Sequence, residues 1–504
     1  MNHHTTIIIG AGISGIKAAN DLTQNGIDTL ILEARDRLGG RLHTIKTESG
    51  IPLDIGASWF HDCLVNPLLR KAVDTGNVQF YYDDGRFDIF TKQHGLVNDN
   101  MKFKPVADEI KDYLKQICSE QFTSDNDISV RQACYNYFKL KGYTLTEDQI
   151  RYAPQLIRYF EMWIGSSWDS LSARLISSDE HWGRNALVTN GYMTFYYDEL
   201  DELASGFGTG KGTGRGTGKG TDLIGSRILL NKVVYRIRFD QKTRYIMVSA
   251  RDQTTNEETT YSCDYLLCSV PLSVLKLSSS EATGSIRWEP PLPQSLVEKL
   301  GKVSFSGLGK VFLEFKDCFW PQETDRFLCL ADPDDELTLS ITENRPITFS
   351  SSGRITDDPD PFKYTVLFMN LYRAAKVPVL LALISEPLTN FIESSDDETI
   401  WRFFRPLVAN ISKPVESEPV SIHHTNWTND PFSRGSYTGV TVGDDLMPCI
   451  EALQEAKGIF DGKGRVRFMG EGVIDEGNGC VHGAWLTGQR EAGKVVGMIN
   501  RGRL

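Results

Sequence analysis

The chain lacks any long run of apolar residues. Its 504 residues are 40% hydrophobic, yet no window approaches the roughly 20 consecutive apolar residues that a membrane helix needs. The N-terminus enters an apolar strand pattern within five residues, so no signal peptide is predicted. Both absences predict a cytoplasmic protein without a membrane partner.

Metal-ligand and disulfide patterns are missing as well. The nine cysteines are scattered, there is no C-x-x-C pair, and no histidines cluster at ligand spacing. Reduced thiols and no metal are therefore expected. The formal net charge of −12 argues against nucleic acid as a partner. It mildly favours a cationic ligand, although ordinary solubility explains such a charge better.

What the chain has, at its very start, is a short apolar strand that leads into a glycine loop. The loop is Gly10-x-Gly12-x-x-Gly15, and a helical pattern follows it. Gly10 permits a tight turn, Gly12 lets the backbone approach a pyrophosphate, and Gly15 lets the helix pack closely on the strand. A second strand ends at Glu33, where an acid is expected to bind ribose hydroxyls. These features together predict a dinucleotide site rather than a merely glycine-rich turn.

Strand and helix patterns along the rest of the chain interrupt the dinucleotide-binding part. They are helical at 101–121 and 148–163, strand-like at 228–237, 245–250, 265–270 and 466–469, and helical again from about 480 to 499. Residues 206–220 alternate glycine with threonine and basic residues, which predicts a mobile surface loop. The alternative is a phosphate-binding loop, but this segment leads towards a strand rather than a helix.

The C-terminal pattern indicates a flavin. A strand is followed by Gly470 and Glu471, then by a glycine loop that contains Gly479, and a helix begins near Cys480. A helix N-terminus stabilises negative charge placed beside it. An isoalloxazine ring gains negative charge on two-electron reduction, so it is the ligand expected there.

These motifs make the chain resemble the flavin-containing amine oxidase family, and most closely its fungal polyamine oxidases. The segments that carry the resemblance are 10–15, 32–41, 54–59, 269–272, 288–293, 307–310, 426–437 and 470–471. The resemblance implies an α/β fold with a discontinuous Rossmann-type FAD-binding domain and a second, α+β substrate-binding domain. The FAD-binding domain would comprise residues 1–75, 221–285 and 421–504, and the substrate-binding domain residues 76–205 and 286–420.

The same resemblance implies the residues that hold FAD. They are Gly10, Gly12, Gly15, Glu33, Arg35, Gly40, Arg41, Gly56, Ala57, Ser58, Val234, Trp427, Gly470, Glu471, Gly479, Cys480 and Val481. The FAD is expected to be bound non-covalently, because Ser436 stands where the monoamine oxidases of the family carry the cysteine that bonds to the flavin.

Catalytic and substrate-binding residues are implied in the same way. Lys310, His61 and Tyr437 are expected to act in catalysis, and Asp84, Trp59, Trp163, His181, Asn185 and Trp427 to contact the substrate. In the family, the lysine that matches Lys310 holds a water against flavin N5, and burial would lower its pKa. Asp84 could pair with a distal ammonium group. Taken alone, Lys310 would be a solvated lysine, Asp84 a turn residue and each aromatic residue part of a core.

The activity implied is oxidation of a spermine-like polyamine next to a secondary amine, with oxygen as electron acceptor. The products would be a shorter amine, an aminoaldehyde and hydrogen peroxide. Phe60 and the pair Gly472-Val473 depart from the family pattern, which puts substrate preference in question. A fungal corticosteroid-binding protein resembles the same family, so a steroid is the alternative ligand. A histone demethylase is disfavoured, since no inserted coiled-coil arm and no added N-terminal domain are recognisable.

Overall fold

The computed structural model describes residues 2–83, 85–97, 102–118, 123–176, 183–207, 219–277, 282–347, 349, 353–355, 357–412 and 417–502. Two predicted substrate-binding residues, Asp84 and His181, lie outside these ranges. The central part of the glycine-rich segment, residues 208–218, lies outside them too.

An eight-stranded sheet, called here the cofactor sheet, is assembled from distant parts of the chain. In spatial order its strands are Ile228–Leu229, Thr29–Leu32, Asn2–Ile9, Glu258–Cys268, Ile246–Asp252, Lys232–Phe239 and Arg287–Glu289, with Val466–Phe468 paired to Glu258–Cys268. The strand Asn2–Ile9 pairs in parallel on both sides. Its last four residues are buried, and the last three are isoleucines, as is typical of a strand covered on both faces.

A seven-stranded sheet, called here the cavity sheet, forms a second layer. In spatial order its strands are Ser421–His424, Gly309–Glu314, Val379–Ile384, Val366–Asn370, Arg326–Cys329, Phe87–Thr91 and Gly95–Leu96. Successive side chains of a strand point to opposite faces. Val311 and Leu313 pack in the apolar cluster that includes the helix Asp397–Ile411. Phe312 packs in a different cluster, and Lys310 shares its face of the sheet.

Helices cover both sheets. They are Ile13–Gln24, Pro67–Thr75, Phe103–Tyr113, Val130–Lys141, Glu147–Ile157, Glu161–Ile164, Met193–Gly206, Leu272–Leu275, Gln294–Gly301, Asp335–Thr342, Leu371–Ala375, Leu388–Ile392, Asp397–Ile411, Leu446–Glu455 and Val481–Gly502. The first and last of them pack closely, because a Cβ at Gly488 would lie 2.3 Å from the Ser14 carbonyl oxygen. No helix of the described ranges has the length and apolar character of a membrane span.

Short sheets complete the structure. They pair Trp59–Phe60 and Phe80–Asp83 with Asn185–Val188, Ser304–Ser306 with Tyr437–Gly439, and Thr44–Lys46 with Pro52–Asp54. The mixture of parallel sheet, antiparallel sheet and covering helices confirms the predicted α/β class.

Several predicted element boundaries differ from those observed. The strand expected at 228–237 is two strands, because Asn231 between them adopts a left-handed conformation with φ 58°. The helix expected at 101–121 is Phe103–Tyr113 followed by a π-helical turn. The predicted loop 206–220 overlaps regular structure at both ends. Gly206 is the last residue of a helix, and the 3₁₀ turn Lys219–Leu223 begins at residue 219.

Candidate functional site

One large cavity is bordered by both sheets. It encloses about 2200 Å³ of empty space, including the part open to solvent. The predicted cofactor residues that line it are Gly10, Gly12, Glu33, Arg35, Gly40, Arg41, Gly56, Ala57, Ser58, Val234, Trp427, Gly470, Glu471, Gly479, Cys480 and Val481. Lys310, His61, Tyr437, Trp59 and Trp163 line the same cavity. Residues far apart in sequence are thus brought to one place.

The glycine loop at the start of the chain forms one end of the cavity. Gly10 has φ 99°, and a Cβ there would lie 2.4 Å from the Ser269 hydroxyl oxygen. Gly12 is the N-cap of the helix Ile13–Gln24, and no side chain of the described residues caps that helix. Gly15 is absent from the wall because it packs the helix on the strand, where a Cβ would lie 2.1 Å from the Gly10 carbonyl oxygen.

Glu33 fixes this loop through its carboxylate. The side chain is 3% exposed. Its Oε2 accepts a 2.7 Å hydrogen bond from the backbone N–H of Ala11, and its Oε1 accepts one of 2.9 Å from the N–H of Arg35. The carboxylate therefore lies where the glycine loop and the second strand meet.

Two arginine contacts join the N-terminal and C-terminal segments of the chain at the cavity. The Arg35 guanidinium donates to Asp430 Oδ2 at 2.9 Å and to the Ser433 hydroxyl at 2.7 Å. The Arg41 guanidinium donates to Glu471 Oε1 at 2.9 Å. Both ion pairs are largely shielded from solvent, where removal of one partner is costly.

The donor groups around the cavity fit FAD. The uncapped N-terminus of Ile13–Gln24 offers backbone N–H groups and a positive helix end to a pyrophosphate. The helix Val481–Gly502 begins where Cys480 and Val481 line the same cavity. Its positive end suits the part of the flavin ring that gains negative charge on reduction.

Lys310 is buried in the wall, with 6% of its surface exposed. Its ammonium donates to the Asp54 carbonyl at 3.1 Å and, at closer range, to the Gly56 carbonyl and the Ser58 hydroxyl. Burial lowers the pKa of Lys310 to about 8, and the Asp54 carboxylate opposes that shift. Burial also raises the pKa of Asp54 to about 6. Three acceptors match the three donors of an ammonium group.

A chain of rings continues the wall from Lys310. The Lys310 nitrogen lies 5.2 Å from the centroid of the Trp59 ring. The ring centroids of Trp59 and His61 are 6.3 Å apart, and those of His61 and Trp163 are also 6.3 Å apart. This part of the cavity is therefore bounded by flat, mostly apolar surfaces with few polar atoms.

Hydrogen bonds orient the neighbours of this wall. The Tyr437 hydroxyl donates to the Trp163 carbonyl, and the Trp427 indole N–H donates to the Ile55 carbonyl at 3.1 Å. Asn185 does not line the cavity, but its Oδ1 lies 3.2 Å from His61 Nδ1. The structure thus places Asn185 behind His61, where it orients the imidazole, rather than in the wall as expected.

The departures from the family pattern at Phe60 and Val473 lie away from the cavity wall. Phe60 is fully buried and packs against Tyr192. Val473 is 2% exposed and belongs to the core of the cofactor sheet. Neither side chain lines the cavity. Any effect of these two residues on substrate preference would therefore have to act through the packing around the cavity, since neither contacts a ligand in it.

Asp62, Cys480 and His482 form a buried cluster whose ligand-type atoms lie within 4.8 Å of one another. Asn66 Nδ2 is 3.4 Å from His482 Nδ1, and His482 Nε2 is 3.7 Å from Asp62 Oδ2. The Asn66 amide oxygen already accepts the N–H of Leu68, which leaves its NH₂ group facing the imidazole. We interpret the cluster as a hydrogen-bonded histidine, with Nδ1 as acceptor and the Nε2 proton towards Asp62.

Several residues of the wall were not among those expected from the sequence. They are Arg326 and the apolar residues Met162, Ile164, Leu308, Leu367, Met369, Leu383 and Val440. Three of the apolar residues belong to cavity-sheet strands adjacent to one another. Alternation of apolar residues would give the face of the strand on which each residue lies. The strand pairing around them, however, connects residues up to 75 positions apart, such as Gly309 and Ile384.

The fold and the cavity define a dinucleotide-binding flavoprotein with an enclosed ligand site. The chain belongs to the flavin containing amine oxidoreductase family, whose model matches residues 13–496. This membership and the fit of the cavity identify FAD as the cofactor, as predicted.

The relatives of the chain carry names that describe different functions. A corticosteroid-binding protein of Candida albicans is 33% identical over 98% of this chain and 96% of its own length. Polyamine oxidase 2 of Arabidopsis thaliana is 27% identical over 96% of this chain and 86% of its own. An Arabidopsis lysine-specific histone demethylase homologue is 26% identical, and the chain spans about half (52%) of its length. A solved structure of a redesigned putrescine oxidase shares the fold, with a TM-score of 0.64, 18% identity and 98% of this chain covered.

Proposed function

We propose that the chain catalyses the FAD-dependent oxidation of an amine at the carbon next to nitrogen, with oxygen and water as co-substrates. The observation that carries this is the position of Lys310, which is buried in the same cavity wall as the predicted FAD residues and beside Trp59. When bound, FAD supplies a two-electron acceptor for the hydride from that carbon and passes the electrons to oxygen as hydrogen peroxide.

The protein's own part is positioning and exclusion of water. The Lys310 ammonium is fixed by three acceptors, so it presents a defined charge to the cavity. His61, oriented by Asn185, lies between Trp59 and Trp163, with its ring centroid 6.3 Å from each. The rings confine a substrate against this wall, which supplies orientation rather than a nucleophile.

The proposed substrate is a spermine-like polyamine. The support comes from the polyamine oxidases of Arabidopsis and rice among the relatives, which are 25–27% identical to the chain. In this proposal aromatic faces contact the methylene segments and the cationic nitrogens, and Asp84 anchors a distal ammonium. The products would be a shorter amine, an aminoaldehyde and hydrogen peroxide.

A second candidate is the binding of a large apolar ligand such as a corticosteroid. Two observations favour it: the relative from Candida albicans at 33% identity, and the apolar floor formed by Leu367, Met369 and Leu383. Such a ligand would gain from burial of its apolar surface without any cost for desolvating charge.

The test is an anaerobic titration of the flavoprotein with a panel of amines and with cortisol, followed by flavin absorbance. Bleaching by spermine, and peroxide after oxygen is admitted, are the expected results. A spectral shift without bleaching on addition of cortisol, together with no bleaching by any amine, would replace the oxidase proposal with the binding proposal.

A further inference from the structure

Arg326 is a buried cation in the cavity wall. Its side chain is 7% exposed, and it begins the cavity-sheet strand Arg326–Cys329. Its Nε donates to Asp83 Oδ2 at 2.9 Å, its Nη2 donates to the same oxygen, and its Nη1 donates to the Tyr159 hydroxyl at 2.8 Å. The guanidinium is thus held in place from behind by two residues that do not line the cavity.

Not all donors of this guanidinium are used. Arginine carries five N–H donors, and the contacts to Asp83 and Tyr159 occupy three of them. The two others have no partner within the described ranges. Both oxygens of Asp83 are engaged, since its Oδ1 accepts the backbone N–H of Gly85 at 2.7 Å, and Asp83 does not line the cavity. This end of the cavity therefore presents donors rather than acceptors.

The strand order places Arg326 opposite to Lys310. Lys310 pairs with Leu383, Leu383 pairs with Leu367 on the next strand, and Arg326 pairs with Met369 of that same strand. Three strand spacings, about 14 Å, separate the strands of the two cations, and the register displaces Arg326 by two residues along the strand direction. Leu383, Leu367 and Met369 line the cavity between them. The floor is therefore apolar in the middle and cationic at both ends.

The carboxylates of the described cavity wall lie away from Arg326. Within the described part of the wall the only acidic residues are Glu33 and Glu471. Glu33 accepts the backbone N–H groups of Ala11 and Arg35, and Glu471 pairs with Arg41. Both belong to the FAD side of the cavity. An ammonium group that reached Arg326 would meet a like charge in a partly desolvated place, which is unfavourable.

We propose that Arg326 recognises a hydrogen-bond acceptor, a carboxylate or an amide carbonyl, at the end of the substrate opposite to the reacting amine. The proposal rests on the proposed amine oxidation and changes its substrate class, because an acceptor group at this end of the cavity replaces the distal ammonium of a spermine-like chain. The two unused N–H donors would bind the acceptor oxygen, and the apolar floor would contact the chain that joins the two groups. A charge-assisted hydrogen bond of this kind is stronger than a neutral one.

The test uses four N-methyl octylamines that differ only at C8, where they carry a carboxylate, a primary amide, a methyl group or an ammonium group. Dissociation constants and limiting rates of flavin reduction are measured anaerobically by rapid mixing. We expect the carboxylate and the amide to bind about tenfold or more tighter than the ammonium compound. An ammonium compound that binds as tightly as the carboxylate, or no binding by any of the four, would overturn the proposal.

Two variants test whether Arg326 causes the preference for the carboxylate and amide compounds. Arg326→Met combined with Asp83→Leu removes the ion pair without leaving a buried charge alone, and the preference for carboxylate and amide should disappear. Tyr159→Phe keeps the guanidinium and releases one more donor, so the preference should persist or increase. FAD content and the thermal midpoint confirm that each variant is folded. An unchanged order of affinities in the double variant contradicts the assignment.

The same measurements separate this proposal from the one on which it rests. If the four compounds bind in the expected order but none bleaches the flavin, amine oxidation fails while the recognition by Arg326 stands. If all four bleach the flavin with equal affinities, amine oxidation stands and the role of Arg326 fails.

Discussion

Lys310 combines burial with full hydrogen bonding, and both facts bear on its chemistry. Burial alone disfavours the charged form of a lysine, whereas three acceptors and the Asp54 carboxylate favour it. The resulting pKa of about 8 leaves the group mostly protonated at neutral pH. It also makes the group able to lose a proton just above neutrality, unlike a solvated lysine.

Replacing Lys310 by Met should leave a folded, yellow protein with impaired catalysis. The change roughly conserves volume and removes the ammonium group. Rapid mixing separates flavin reduction by an amine from reoxidation by oxygen, and we expect at least one of the two rates to fall. Lys242→Met, at an exposed loop position, is the control and should match wild type. Unchanged rates in both half-reactions would remove Lys310 from the mechanism.

The shifted pKa of Lys310 also predicts how stability depends on pH. The folded pKa of about 8 lies below the ordinary value of 10.5, so between these limits the unfolded chain binds more protons than the folded chain. The free energy of unfolding contributed by this group therefore rises with pH across that window. Between pH 8 and pH 10, the free energy of unfolding measured in urea should therefore change more favourably in wild type and in Lys242→Met than in Lys310→Met. Parallel pH dependences would contradict the assignment.

Ser436 bears on whether the flavin is attached covalently. Its hydroxyl donates to the Ser306 carbonyl at 2.8 Å and accepts the N–H of Leu308 at 2.9 Å. A serine cannot form the thioether that the monoamine oxidases form, so FAD should be released by acid precipitation. Yellow colour that stays in the washed pellet would show a covalent bond, and Cys480, the cavity-lining thiol, would then be the residue to examine.

At the scale of elements, the glycine loop and the helix after it allow two glycine substitutions to be compared, one that faces the cavity and one that faces the strand. A Cβ at Gly12 meets nothing within 4 Å, whereas a Cβ at Gly15 would lie 2.1 Å from the Gly10 carbonyl oxygen. Gly12→Ala should therefore fold normally but bind FAD more weakly, because the methyl group faces the cavity. Gly15→Ala should push the helix from the strand and cost about 1–3 kcal/mol of stability even without FAD.

Thermal unfolding of the two apoproteins and FAD titrations distinguish these effects. Equal loss of stability in both variants would mean that the loop acts only as a packing element. Normal FAD affinity in Gly12→Ala would show that the pyrophosphate does not approach this backbone position.

The elements that could be predicted from the sequence are those whose signals are local. Strand, glycine loop and helix at residues 2–24 follow one another directly, and Glu33 comes nine residues after that helix. The resemblance to a family added the segments that line the rest of the cofactor cavity. The break at Asn231 was not predictable, since a single left-handed residue interrupts an otherwise regular apolar pattern.

Arg326 shows why the substrate end of the cavity could not be predicted. It pairs with Asp83, 243 residues earlier in the chain, and it faces the cavity only because of the register between strands. In the sequence, Asp83 and its neighbour look like a turn before Gly85. In the structure the Asp83 carboxylate neutralises the buried guanidinium of Arg326. This role depends entirely on tertiary contacts.

At the scale of the whole molecule, the cavity connects chain segments that are far apart. Its wall takes residues from 9–61, 162–164, 232–286, 308–383 and 425–484. The ion pairs Arg35–Asp430 and Arg41–Glu471 join the first and last of these segments across the cofactor end. A ligand that fills this end contacts several of these segments at once and needs the folded chain to do so, and its free energy of binding therefore adds to the stability of the fold.

FAD should stabilise the entire fold, and the gain should increase with the logarithm of its free concentration. A ligand that binds only the folded state adds RT ln(1 + [L]/Kd), or about 2.7 kcal/mol at 100 times Kd. Apoprotein should therefore unfold at a lower temperature than the flavoprotein, and its midpoint should rise with each tenfold addition of FAD. In Gly12→Ala the same rise should require a higher FAD concentration, because its Kd is larger. A midpoint that does not change with FAD in wild type would mean that FAD does not bind the folded state in preference to the unfolded one, which would contradict this prediction.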